Sequence, residues 1–169
     1  MKTRQGMMII AGCLLSTTAL CASPDASFAK KAASGGMAEV AMGQLAESHA
    51  QSADVKAFGQ KMVQDHSAAN DKLKAAAEQE NIQLPTQPNA KDQKTINHLS
   101  KLHGEAFDKA YSQTMVKDHK KDISEFQKEA KQGGSSQVQT FASATLPTLE
   151  EHLQLAEKLP GEAATPNGQ

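Results

Sequence analysis

Of 169 residues, one is arginine (Arg4), one is tyrosine, none is tryptophan, and two are cysteines, Cys13 and Cys21. Each scarcity closes a class of function. Beyond residue 4 no forked guanidinium donor remains, and sixteen lysines stand against nineteen acids, a net of −3, so nucleic acid is not an expected partner. With both cysteines in the first 21 residues, the rest of the chain has neither a disulfide nor a thiol nucleophile, and its fold must stand on its core. No run after residue 20 approaches the ~20 apolar residues a membrane-spanning helix needs. Also missing are HExxH, a glycine-rich phosphate loop and a GxSxG elbow. No reaction is indicated, and an enzyme is not the expected class.

The first residues read as a cleavable export signal. Lys2 and Arg4 precede the apolar run MMIIAGCLLSTTAL at 7–20, and small residues follow. Residues 1–23 are assigned to it, with cleavage between 21 and 29, because Ala19 with Cys21 or Ser27 with Ala29 fits the small positions before the cut. IAGC at 10–13 also fits lipidation at Cys13, which would anchor the protein to a membrane but strand LLSTTAL behind the modified cysteine. The cleaved signal is the preferred reading, and it makes the protein periplasmic or secreted.

What the chain has in abundance is Ala, Lys, Gln, Glu and Leu, with few β-branched residues and no sustained alternation, so an all-α fold is expected. After a disordered linker at 24–33, helices are expected at about 34–50, 53–80, 90–102, 105–131 and 137–159. Ser52 and Asn89 serve as N-caps, LPTQP at 84–88 breaks the chain, and Gly104 stops the short helix. Pro147 should kink the last helix, and residues 160–169 form a disordered tail. Short connections between long helices favour antiparallel neighbours, hence one domain at 34–159 built as a four-helix bundle with one short accessory helix.

The sequence also repeats itself. FGQKMVQDH at 58–66 returns as YSQTMVKDH at 111–119, so two long helices carry matching faces ending in Asp-His. These stretches, with MAEVAMGQLAESHAQSADVKA before them and FASATLPTLEEHLQLAEKL after, resemble the bacterial family called domain of unknown function 4142, over about residues 33–159. The resemblance implies an exported protein with a ferritin-like helical fold, and it marks His66, His119 and His152 as the motif histidines. It implies no activity.

The stripes place the same rings independently. His66 continues the face of Met62 and Leu73, His119 that of Met115 and Phe126, and His152 lies between Leu149 and Ala156. Three inward imidazoles from three helices are a candidate metal set, suited to zinc, copper, nickel or iron. Met62 and Met115, four residues before a histidine, are weaker candidates and would favour copper, although methionine at this spacing commonly fills a core. The competing reading is a buried polar layer in which Asp65, Asp118 or Glu151 hydrogen-bonds a ring on the next helix, in a protein that acts on an envelope partner through its surface. A di-iron centre is disfavoured, since Val63, Val116 and Leu149 stand where Glu-x-x-His would need glutamate, unless Glu39, Glu47 or Glu150 supplies one. His49, His98 and His103 read as surface or helix-end residues.

Overall fold

The computed structural model describes residues 24–132 and 136–161. The signal segment, Cys13 and residues 162–169 lie outside these. Five helices follow one another: α1 Pro24–His49, α2 Ala53–Gln79, α3 Ala90–Leu99, α4 Gly104–Gln132 and α5 Ser136–Ala156. Among the described residues there is no strand, and no helix is long and apolar enough to cross a membrane.

The stops and starts are built from local chemistry. The Ser52 side chain accepts from Val55 N at the start of α2, and Asn89 accepts from Lys91 N and Asp92 N at the start of α3. At the end of α2, Asn81 takes φ 55° while Ile82 N reaches back to the carbonyl of Ala77 at 2.8 Å, a left-handed cap formed by asparagine rather than glycine. Gly104 adopts φ +60° where α3 gives way to α4. In the α1–α2 turn, the buried Asp108 carboxylate accepts from the backbone of Gln51 (3.1 Å) and Ser52 (2.9 Å), leaving neither donor orphaned. α5 runs on through Pro147.

Two expectations are corrected here. Residues 24–33 are not a linker: they form the first turns of α1, with Phe28, Ala29 and Ala33 buried. Nor is the chain free from residue 160, because the Pro160 carbonyl accepts from the Ser112 hydroxyl at 3.0 Å.

The four long helices pack in a ring, α1 on α2, α2 on α5, α5 on α4 and α4 on α1, while α3 lies against α1 and α4. α2 and α4 therefore face each other across the ring, and the repeated residues meet at its centre: Phe58 and Tyr111 have ring centroids 6.2 Å apart, His66 and His119 5.7 Å apart. The apolar interior is in two parts. One gathers Met42, Val55, Phe58, Met62, Tyr111 and Met115; the other gathers Phe28, Leu73, Phe126, Val138, Phe141 and Leu149. On α2, α4 and α5 the boundary between them falls at a buried histidine, and on α1 Glu39 stands beside Ala38 at the edge of the first part.

Candidate metal centre

The boundary is a layer to which each long helix contributes one buried group: Glu39 from α1, His66 from α2, His119 from α4 and His152 from α5, with relative exposures of 3%, 6%, 0% and 0%. Centroid separations among the imidazoles are 5.7, 5.3 and 5.3 Å. All three histidines singled out in the sequence are thus brought together, and one nitrogen from each lies within 4.8 Å of the other two.

Every ring is held from behind by an oxygen. His119 Nδ1 lies 2.9 Å from the carbonyl of Met115, one turn earlier. His152 Nε2 lies 2.8 Å from Asp65 Oδ2, and His66 Nδ1 lies 3.0 Å from Glu39 Oε2. A carbonyl can only accept, so His119 carries its proton on Nδ1 and turns the lone pair of Nε2 inward. Burial alone would raise the Asp65 carboxyl, but hydrogen bonds from His152 and Lys61 outweigh it and hold the carboxyl below its usual range. An ionised Asp65 also only accepts, which leaves His152 Nδ1 as a second inward lone pair.

These two nitrogens are 3.3 Å apart. With His119 Nδ1 and His152 Nε2 as the donors to their oxygens, the two facing nitrogens offer lone pairs that a cation in the gap would satisfy. His66 Nε2 is buried without a hydrogen-bond partner, as is Glu39 Oε1, which stays 3.5 Å from His119 Nδ1. A proton is a poor candidate for two of the rings: burial pushes His66 down to about 3 and His152 down to about 4. Burial also pushes Glu39 up to about 7. A divalent ion would bring the positive charge that this pair of carboxylates, Glu39 and Asp65, balances. Tetrahedral coordination at Zn–N ~2.05 Å sets nitrogens about 3.3–3.4 Å apart, so the His119–His152 edge has the required length, and a His66 nitrogen lies within 4.8 Å of both.

The other candidates fall elsewhere. Met62 and Met115 are fully buried within the first core cluster, beside Phe58 and Tyr111, the setting of a filler thioether. Of the acids adjacent to the histidines, only Asp65 reaches a ring; Glu151 pairs with Lys61 at 3.1 Å, and Asp118 lines a cleft between α1, α3 and α4. Glu47 and Glu150 are exposed, so Glu39 is the one carboxylate of that trio at the layer. Its role was legible only as a charge in the otherwise small and apolar stretch Met37–Met42. His98 and His103 are exposed, as expected of surface residues. His49 does more than end a helix, since its ring stacks on His103 at 4.2 Å and its Nδ1 meets the carbonyl of Leu102 at 2.7 Å.

Fold and layer together define an all-α protein with a buried histidine–carboxylate centre. The chain belongs to the domain of unknown function 4142 family, whose model matches residues 15–159. Among solved structures it is similar to a protein from Streptomyces coelicolor described as secreted and designated DUF305, at 14% identity and TM-score 0.66, over 79% of this chain and 90% of that one. That likeness concerns the fold. No curated protein matches.

Proposed function

We propose that this is an exported cell-envelope protein that holds one transition-metal ion among His66, His119 and His152, at the centre of a ferritin-like antiparallel four-helix bundle with α3 as its accessory helix. The observation that carries the reading is the orientation of the rings: each nitrogen facing away from the centre meets an oxygen, while His119 Nε2 and His152 Nδ1 face one another at 3.3 Å. Metal-bound histidines are oriented in this way, by a carboxylate or carbonyl on the second ring nitrogen. Three imidazoles without thiolate favour zinc or copper(II) over softer-ligand ions. The basic start and apolar run at residues 1–20 support export to the periplasm or outside the cell, and the secreted Streptomyces protein of similar fold is consistent with that destination.

Protein purified without an affinity tag is expected to carry close to one metal per chain by elemental analysis, and His66→Ala with His119→Ala to carry none. Failure to load under both oxidising and reducing conditions would end this reading.

A second reading keeps the layer and drops the ion. It draws on the same hydrogen bonds, since rings already supported by Glu39, Asp65 and the Met115 carbonyl could serve only to fix the helices against one another. The protein would then act through its surface on an envelope partner, recoverable by crosslinking, and the histidine substitutions would lower stability while no metal affinity existed to be lost.

A further inference from the structure

Two wider hollows reach the histidine layer from outside and differ in character, while a third, narrow space of about 20 Å³ lies against Glu39 and His66 themselves. On the α2–α5 side a groove of about 400 Å³ is walled mainly by small and apolar side chains, and it touches the layer at Asp65. There the Asp65 Oδ2 that receives His152 is also held by the Lys61 ammonium at 3.1 Å, so a positive charge guards that approach. On the α1–α3–α4 side a cleft of about 240 Å³ is lined by five carboxylates, Glu39, Asp92, Asp118, Asp122 and Glu125, against three lysines, and it touches the layer at Glu39.

Glu39 belongs to both cleft and centre. It lines the cleft, it is 97% buried, and its Oε2 holds His66 while its Oε1 has no hydrogen-bond partner. A buried carboxylate whose residue lines an acid-lined cleft, with one oxygen on His66 and the other free of hydrogen bonds 3.5 Å from His119, is a hand-over point for a cation. From this geometry we infer that the α1–α3–α4 cleft is the loading route for a divalent metal ion, which passes from Asp118 and Asp122 to Glu39 and from there to the histidines. The inference rests on the metal reading above. Lys121, half exposed, pairs with Asp122 at 3.1 Å and Glu125 at 3.7 Å and is the cation that an incoming ion displaces. α3 forms the fixed wall: Asn89 donates from its backbone and side chain to Ser34 Oγ (2.9 and 2.8 Å), and Ser34 donates to Asp92 at 2.8 Å. A route lined by opposite charge raises the local ion concentration and the association rate, and salt weakens it.

The route can be blocked by charge or by bulk. Asp118→Asn with Asp122→Asn removes its inner acids. Gly35→Phe fills it, since a Cβ at Gly35 meets only Asp122 Oδ2, at 3.9 Å. Ala144→Trp obstructs the α2–α5 groove instead. Uptake of Co²⁺ by untagged apo-protein, followed by stopped-flow absorbance, is expected to slow at least tenfold in the first two variants while final stoichiometry and helical circular dichroism match the wild type. Ala144→Trp should load at the wild-type rate. Wild-type rates in both cleft variants, or slowing confined to Ala144→Trp, would overturn the loading route and leave the metal centre standing. A wild-type protein that takes up no Co²⁺ or Zn²⁺ at all would remove the centre and the route together.

Discussion

His152 stands between two demands: Asp65 draws its Nε2 proton at 2.8 Å, and burial keeps the ring from taking a second one, holding it down at about 4. His66 is in the same position, pushed down to about 3, with Glu39 as its acceptor. Each ring is neutral in the folded chain where an unfolded histidine begins to charge near pH 6.5, so each contributes stability that is present above pH 6.5 and lost as pH falls toward 4 and 3. Glu39 has the opposite sign. Raised to about 7, it favours the folded state below its ordinary value near 4.5, and that contribution fades as pH rises through 7. Between pH 6.5 and 4.5 the carboxyl therefore offsets part of what the histidines lose. In Glu39→Gln, whose amide oxygen can still accept from His66, the offset is gone, and apo-protein stability by urea titration should fall more steeply with acid than in the wild type. Parallel profiles for the two proteins would show that Glu39 does not hold a proton of its own near neutrality.

At the scale of the element, α1 and α2 approach so closely that glycine is required. A Cβ at Gly43 would meet the backbone oxygen of Gly59 at 2.6 Å, and one at Gly59 would meet Ala46 Cβ at 2.6 Å. Backbone cannot step aside as a flexible side chain can. Gly43→Ala should therefore cost about 1–3 kcal/mol of overpacking, more than the ~1 kcal/mol that alanine returns in helix propensity, and thermal unfolding should show the loss. An unchanged or higher Tm would mean that the two helices have room to separate. The cap of α3 is a second such device. Asn89→Ala removes the acceptor for Lys91 N and Asp92 N together with the tie to Ser34, and a loss of about 1 kcal/mol is expected. Amide exchange should rise in α3 while α2 and α4 stay protected; uniform deprotection would place the tie at the centre of the fold instead.

Across the whole molecule, the core is divided by its polar layer, and the half distal to α3 depends on the first turns of α1. Phe28 is 7% exposed and packs edge-on against Phe126 with centroids 4.9 Å apart. Truncating a buried phenylalanine costs about 3–5 kcal/mol, so Phe28→Ala should lower the urea midpoint sharply. The same packing bears on export, because a cut after Ala29 would discard Phe28. On the proposed export reading, N-terminal sequencing is expected to find a terminus that retains Phe28, and a terminus at residue 30 on a stable protein would contradict the weight placed on this contact.

The apolar spacings through Met62, Leu73, Met115 and Phe126 marked the helices and the inward faces of their histidines, because a 3.6-residue period leaves a polar residue within a stripe nowhere to go but the interior. The Asp-His repeat announced two matching faces for the same reason. Sequence could not tell which carboxylate would meet which ring. That pairing depends on the order of helices around the ring and on their rotation, both set by contacts between residues far apart in the chain: Asp65 reaches His152 across 87 positions, and Glu39 rather than Asp118 supports the layer because α1, not the neighbouring acid on α4, faces the rings. The start of α1 escaped notice because its small and charged residues carry little periodic signal until Phe126 and Leu73 are brought against them. Helices and their inward faces are local properties of the chain; the charge balance at the centre is a property of the assembled core.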